Sequence, residues 1–261
     1  MWRFLSRQPR RWGRVLTYHG VAESEVASFE TQIRLLKARY TIVSLESLVK
    51  GIQEGTLEGR CVAVTFDDGF LDNYTNAFPV LRRHGIPATF FVSTQFIDES
   101  GNAEAEVRFC TERLRVPWSP AMNWGQLKEM RDAGCTVGSH TLRHTRLAGL
   151  GEAELVEEVE ASKEKIEGVM GMPCDNFAYP FGGWNDLDGR ALSVVQRAGY
   201  EACFAAVRGF NLPGREGFLL HRDPISPSSS GATVRAIVEG GFDFRYRKPR
   251  LRLAELSSAS T

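Results

Sequence analysis

Short apolar runs alternate with amphipathic segments along most of the chain. Runs rich in β-branched and aromatic residues predict buried strands at 14–19, 61–66, 88–93, 136–139, 177–183, 201–206 and 218–221. Apolar residues at helical spacing predict helices at 29–40, 72–84, 124–133, 152–170, 188–198 and 233–239, and Ser44 is placed to begin another. In the helix at 152–170, we expect Leu155, Val159 and Ile166 to face inward and Glu157 and Glu158 to face water. This alternation predicts parallel β/α units in one α/β domain, either a barrel or a wound sheet.

Three segments do not follow the pattern. Residues 98–120 are polar, contain two prolines and predict a long irregular surface insertion. Residues 1–13 are basic, with Trp2 and Trp12 among the arginines, and indicate either a frayed terminus or a segment that contacts a membrane surface. Residues 245–261 are basic and then serine-rich, and we expect them to be disordered. The catalytic domain is therefore expected to span residues 14–244.

Composition narrows the class of protein. The 261 residues include 32 basic and 32 acidic side chains, and this balance gives no reason to expect a nucleic-acid partner. The sequence has no apolar run long enough to span a membrane and no apolar region typical of a secretory signal. We therefore expect a cytoplasmic protein or one peripheral to the inner membrane surface, with an extracytoplasmic location left open. The five cysteines form no CxxC pair, and Cys61, Cys135 and Cys203 are expected to be reduced core residues.

Two adjacent carboxylates, Asp67 and Asp68, follow the most apolar of the predicted strands. Parallel α/β sheets and barrels carry their chemistry at this end of the strands. Neighbouring carboxylates repel each other, so a cation is the expected neutraliser. A strand-ending turn, with Gly69 at positive φ, is the structural alternative.

Histidines strengthen the functional interpretation. His140 and His144 are four residues apart after another predicted strand, and both rings would lie on one face if this turn were helical. Two imidazoles and one carboxylate suit a catalytic zinc or another divalent ion. The second aspartate could then take a proton from the water that the metal activates, but the sequence does not say which aspartate does which. His84, at a predicted helix end, is expected to be structural.

Three ordered motifs resemble those of the polysaccharide deacetylases, the NodB-homology or carbohydrate esterase family 4. They are residues 65–69 (TFDDG), 139–144 (SHTLRH) and 177–182 (FAYPFG). The resemblance implies a distorted (β/α) barrel of about seven units and metal-dependent removal of N-acetyl groups from amino sugars. It also implies that Asp67 is the general base, that Asp68, His140 and His144 bind the metal, and that the backbone N–H of Phe181 helps hold the oxyanion.

Two departures from the family pattern affect the roles of other residues. The arginine that usually precedes the proline of the third motif is replaced by Ala178, and Arg222 is our candidate for orienting the base. The general acid has two candidates. Residues 17–21 (TYHGV) resemble the subgroup that acts on poly-N-acetylglucosamine and favour His19, whereas residues 219–223 (LLHRD) offer His221. Strand alternation also favours His19, because His221 points away from the site if Arg222 points into it.

The sequence thus predicts a deacetylase of an N-acetylated glycan with a divalent metal, zinc first and cobalt or nickel as alternatives. A deacetylase or deformylase of a lipid-linked amino sugar at the membrane surface is the second hypothesis. A catalytically inactive carbohydrate-binding protein on the same fold is the third.

Overall fold

The fold is built on parallel strands in one continuous sheet. The computed structural model describes residues 9–214 and 217–258. Its strands are β1 Trp12–Tyr18, β2 Thr41–Ile42, β3 Arg60–Phe66, β4 Ala88–Val92, β5 Thr136–Ser139, β6 Asn176–Ala178, β7 Ala202–Ala205, β8 Leu219–His221 and β9 Asp223–Pro224. They lie in the order β8-β7-β6-β5-β4-β3-β1-β9, and β2 adds to β3. Every ladder in this order is parallel, as strand–helix alternation predicts.

The sheet closes into a distorted barrel because its two outer strands are neighbours in the chain. Only Arg222 separates β8, which pairs with β7, from β9, which pairs with β1. One segment of six residues, 219–224, therefore completes the ring, and we call it the seam. The expectation of a distorted (β/α) barrel in a single domain is confirmed.

Helices cover the outside of this barrel. They are α1 Val26–Arg39, α2 Leu45–Gln53, α3 Phe78–His84, α4 Thr94–Asp98, α5 Ala103–Arg108, α6 Trp124–Asp132, α7 Glu152–Val156, α8 Ser162–Met170, α9 Gly189–Arg197, α10 Gly231–Val238 and α11 Arg247–Ser258. Short 3-10 helices span Glu23–Glu25 and Asp243–Tyr246, and π turns span Asn73–Ala77, Phe109–Leu114 and Glu157–Ala161. The cap predicted for α2 is present, since Ser44 Oγ accepts from the Ser47 N–H at 3.2 Å.

Alternation along the strands divides the core into an inner and an outer layer. Phe66, Phe90 and Phe177 are buried in the cluster that packs against the covering helices. Residues an odd number of positions away on the same strands, such as Ala63 and Phe91, are buried in the second cluster with apolar residues of α2. Cys61, Cys135 and Cys203 are buried and free, as expected for core residues, and so are Cys110 and Cys174. Because the strands are buried on both faces, the interior of the barrel is a packed core. Side chains that could act on a substrate are therefore expected at the rim, where the strands end.

Several expectations about the flanking segments are wrong. Residues 98–120 are not irregular, because they contain α5 and a π turn around a small apolar cluster that includes Phe109. The tail is not disordered over 247–258, where α11 buries Leu253 and Leu256. Trp12 is a fully buried residue of β1, so the domain begins before residue 14. The rest of the basic N-terminal segment up to residue 8 lies outside the described residues. Among the described residues, no helix is long and apolar enough to cross a membrane.

Candidate active site

A left-handed turn at the end of β3 presents the two aspartates. Asp68 has φ 74° and Gly69 has φ 98°. The positive φ favours glycine at position 69, and a Cβ there would lie 2.6 Å from Ile97 Cδ1, so the Ile97 side chain would have to move. The Met122 N–H donates to the Gly69 carbonyl at 2.9 Å, which ties the turn to the segment after α5. Asp67 and Asp68 are 3% and 4% exposed, so this turn holds two acids out of water.

The loop after β5 carries His140 and His144, and it is not helical. Thr141 and His144 both adopt left-handed backbone conformations, with φ 68° and 53°. These two reversals bring the rings to 4.9 Å between centroids. The prediction that the two rings lie close together is correct, but the helical turn on which it was based is not present.

Glu158 holds this loop from the long helix beside it. It is 2% exposed, and its carboxylate accepts from the Arg143 N–H at 2.9 Å and from Thr145 Oγ1 at 3.0 Å. The expectation that Glu158 faces water is wrong, because the loop supplies donors that satisfy a buried carboxylate. The sequence pattern gave no signal for this contact, which joins residues in separate elements.

Asp68, His140 and His144 converge on one point. Asp68 Oδ1 lies 3.6 Å from His140 Nε2 and 3.4 Å from His144 Nε2. Two ligands of a tetrahedral zinc ion at 2.0–2.1 Å are about 3.4 Å apart. Asp68 Oδ1 is buried, and it has no hydrogen-bond partner among the described residues. An orphaned buried carboxylate oxygen facing two imidazole nitrogens fits a divalent cation.

Protonation favours the same interpretation. His140 Nδ1 lies 2.7 Å from the Ala178 carbonyl, a contact in which the ring donates, so Nε2 is left as a free acceptor. Burial lowers the pKa of His140 and of His144 to about 4, which keeps both imidazoles neutral near pH 7. Burial raises the pKa of Asp68, and positive charge on His144 and His19 offsets part of this increase. A cation between these side chains would favour the ionised carboxylate.

Arg222 grips the other aspartate. Its Nη1 and Nη2 donate to Asp67 Oδ1 at 2.6 Å and Oδ2 at 2.9 Å, and the two side chains are 1% and 4% exposed. Burial alone would raise the pKa of Asp67, but the charge of Arg222, helped by His140 and His19, keeps it below the usual value. Asp67 is therefore an ionised carboxylate, and its Oδ2 lies 3.9 Å from His140 Nε2.

The third motif lies against the histidine loop. Phe181 has φ 61°, and its ring centroid lies 4.8 Å from that of His144. Ala178, where the family usually has arginine, is fully buried in β6. The guanidinium comes instead from the seam, where Arg222 also lies 5.3 Å from the centroid of the Phe91 ring.

The structure separates the two acid candidates. His19 is exposed at the end of β1, close enough that its charge lowers the pKa of both Asp67 and Asp68. His221 is not brought to the site: its Nδ1 lies 3.1 Å from the Val207 carbonyl, and Arg250 is among the charges that act on it. His84, expected to be structural, lies 2.8 Å from Glu30.

Comparisons with known proteins agree with this geometry. Residues 54–203 match the sequence family described as polysaccharide deacetylase. The chain is 26% identical over 232 residues to YxkH of Bacillus subtilis strain 168, across 86% of this chain and 75% of that protein. It is 25% identical over 218 residues to a poly-β-1,6-N-acetyl-D-glucosamine N-deacetylase of Staphylococcus aureus strain MRSA252, across 80% and 68% of the two chains. The structure of IcaB from Ammonifex degensii superposes with a TM-score of 0.70 at 25% identity, covering 88% of this chain and 97% of that one.

Proposed function

Because this chain belongs to the polysaccharide deacetylase family, whose members hydrolyse N-acetyl groups of sugars, we propose that it deacetylates a poly-N-acetylglucosamine glycan with a single divalent metal. One observation carries the mechanism. An ionised aspartate, Asp67, is held by two charge-assisted hydrogen bonds beside a group of one carboxylate and two imidazoles. This arrangement supplies separate positions for a base and for a cation within one buried turn.

The two aspartates have different roles in this proposal. Asp68, His140 and His144 would hold the ion, and their ligand atoms lie within 4.8 Å of one another. The ion, zinc in our proposal, would polarise the acetamide carbonyl and acidify the attacking water. In this proposal Asp67 stays outside the ligand set, because Arg222 orients both of its oxygens and the lone pair that each oxygen retains is available to accept a proton.

Asp67 acts as the base. It accepts a proton from water as the water oxygen bonds to the carbonyl carbon. Arg222 fixes both carboxylate oxygens, so the carboxylate is oriented before substrate enters. The backbone N–H of Phe181 donates to the oxyanion that forms, from a turn whose left-handed conformation sets the direction of that N–H.

His19 acts as the acid. As the C–N bond breaks, it gives a proton to the leaving nitrogen, and the products are acetate and a free amine. Its exposed position at the rim of the barrel suits a group that must meet a large substrate and exchange protons with water. The Asn73 amide donates to the His19 carbonyl at 2.6 Å and so anchors the backbone that carries the ring.

The substrate class is taken from the relatives. The Staphylococcus aureus relative is named for deacetylation of poly-β-1,6-N-acetyl-D-glucosamine, and the aligned region covers 80% of this chain. We therefore propose a β-1,6-linked N-acetylglucosamine oligomer as the first substrate to test.

The test measures acetate release from such oligomers, with formate monitored in parallel, on protein stripped of metal and then loaded with zinc, cobalt or nickel. We expect acetate release that requires the metal. Asp67→Asn should lower kcat on the order of 10²–10⁴-fold without changing the metal content. The exposed Asp132→Asn is the matched control and should behave as wild type.

Three results would contradict parts of the proposal. Substantial activity in Asp67→Asn would remove Asp67 as the base. Formate in place of acetate would identify a deformylase. A metal-loaded chain that binds the oligomers but releases no acetate would be a carbohydrate-binding protein on this fold.

A further inference from the structure

The barrel closes through very few backbone hydrogen bonds. In the seam, β8 contributes three residue pairs to β7, and β9 contributes two pairs to β1. Arg222 lies between them, and its N–H donates to the Ala205 carbonyl at 2.8 Å. Directly after β9, the Ile225 N–H donates to the Thr17 carbonyl at 2.9 Å. So short a ladder specifies register weakly by itself.

A buried ionic cluster holds the outer side of this seam. Arg14 Nη1 lies 3.0 Å from both carboxylate oxygens of Asp223, and Nη2 donates to Asp243 Oδ2 at 2.7 Å. Nε donates to the Val238 carbonyl at 3.2 Å, and the guanidinium carbon lies 3.8 Å from the Phe210 ring centroid. We call Arg14, Asp223 and Asp243 the Arg14 cluster. The side chains of Arg14 and Asp223 are fully buried, and that of Asp243 is 9% exposed.

The cluster and the catalytic pair are joined through one peptide bond. Side chains of successive residues in an extended segment point to opposite faces, so the Arg222 side chain points into the barrel and the Asp223 side chain points outward. Arg14 belongs to β1, the strand that pairs with β9. Asp243 belongs to the 3-10 helix before α11 and connects the C-terminal segment to the same guanidinium.

We propose that the Arg14 cluster positions Arg222, and through it the carboxylate of Asp67. This inference rests on the proposed role of Asp67 as the base. Fixing Asp223 to Arg14 sets where the backbone of residue 222 lies along β1. The two bonds from Arg222 to Asp67, at 2.6 and 2.9 Å, tolerate little displacement of that backbone. Arg14, Asp223 and Asp243 all lie outside the family match at 54–203, so this device belongs to the flanks of the chain.

Stability alone does not account for such a cluster. Buried ion pairs contribute little net stability compared with apolar residues of the same volume. Their directional bonds do specify one arrangement, and here that arrangement sets the register of the seam. The Arg14 cluster acts through another residue and touches no reacting atom, so its members are positioning residues.

The test compares Asp223→Asn and the milder Asp243→Asn with wild type in two backgrounds, native and Arg222→Met. Acetate release, KM and bound metal are measured, and folding is checked by near-UV circular dichroism. Val80→Ala, a buried change in α3 away from the cluster, is the control for lost stability.

In the native background, we expect Asp223→Asn to lower kcat on the order of tenfold, because small displacements of catalytic groups are costly, with KM and metal content unchanged. Asp243→Asn should change kcat in the same direction by a smaller factor. In the Arg222→Met background, neither change should lower kcat further, because its effect passes through Arg222. Val80→Ala should leave kcat unchanged in both.

Two outcomes would overturn the inference while leaving the proposed function intact. One is an active wild type in which both cluster variants keep full kcat. The other is an equal loss of kcat in the native and Arg222→Met backgrounds. A wild-type chain that releases no acetate would instead overturn the proposed function, and the inference with it.

Discussion

Removing one partner of the Arg222–Asp67 pair should cost far more than removing both. The pair is buried, with donor–acceptor distances of 2.6 and 2.9 Å. Two unit charges about 4 Å apart attract by about 4 kcal/mol at an effective dielectric constant of about 20. Arg222→Met leaves the Asp67 carboxylate buried without this attraction, and we expect the free energy of unfolding to fall by about 3–5 kcal/mol. Asp67→Asn should lower the free energy of unfolding by a similar amount, because it leaves the buried guanidinium of Arg222 without an opposite charge.

The double variant Asp67→Asn/Arg222→Met should be more stable than the additive expectation. Neither buried charge remains, so we expect a total loss of about 2 kcal/mol or less relative to wild type. Urea unfolding at pH 7 of all four proteins, stripped of metal so that no ion adds stability, measures the coupling energy. Additive losses in the double variant would refute the view that these charges neutralise each other.

The pH dependence of this coupling follows from the pKa of Asp67. Burial raises the pKa of Asp67, but Arg222, His140 and His19 together lower it by more, so the folded protein holds the carboxylate ionised to a lower pH than the unfolded chain does. Stability from the pair is therefore fully present above the unfolded pKa of about 3.9, and it is lost as the pH falls through the folded value. Coupling that vanished between pH 7 and pH 5 would contradict a lowered pKa.

Further predictions concern the other residues of the site. Glu158→Gln should weaken zinc affinity by about 10–100-fold, measured by competition with a chelator, because the carboxylate holds the histidine loop through the Arg143 and Thr145 donors; unchanged affinity would show that the loop holds its shape without the charge. His19→Ala should lower kcat on the order of 10²–10⁴-fold while His221→Ala leaves it within about twofold, and the reverse ranking in acetate assays would transfer the acid role to His221. Burial lowers the pKa of His221 to about 4 against an unfolded value of about 6.5, so the unfolded chain binds the proton first and stability falls as the pH drops between these values. Wild type should therefore lose more stability than His221→Gln between pH 6.5 and pH 4, by at most about 3 kcal/mol because the ring is partly exposed. If urea unfolding shows the same pH dependence for both proteins, the shift is contradicted.

Local sequence patterns predicted the barrel well, because the residues that define each strand and helix lie close together in the sequence. The run before Asp67 is apolar on both faces, as only a doubly covered strand can be, and Ser44 lies where a helix cap is needed. The same logic brought Asp68 and the two histidines together, since strands of one parallel sheet end at a common rim. These inferences required no knowledge of contacts between distant elements.

The parts that could not be predicted are contacts between such elements. Glu158 was expected to face water because helical spacing indicates only the side of the helix on which a side chain lies. It gives no information about the histidine loop, which folds over that side. The tail was expected to be disordered because its composition is basic and serine-rich. That composition gave no indication that two leucines, Leu253 and Leu256, would be buried and anchor α11. The histidine loop depends on the left-handed conformation of Thr141, a β-branched residue for which sequence gives no such expectation.

Four residues of the candidate site, Asp68, Thr141, His144 and Phe181, have left-handed backbones without being glycine. Each such conformation costs roughly 1–2 kcal/mol, so together they consume a large part of the 5–15 kcal/mol by which a typical domain is stable. A laboratory selection for heat resistance alone would therefore enrich glycine at these positions. The surviving proteins would be more stable, but they would lack Asp68 and His144, two of the three residues proposed to hold the metal.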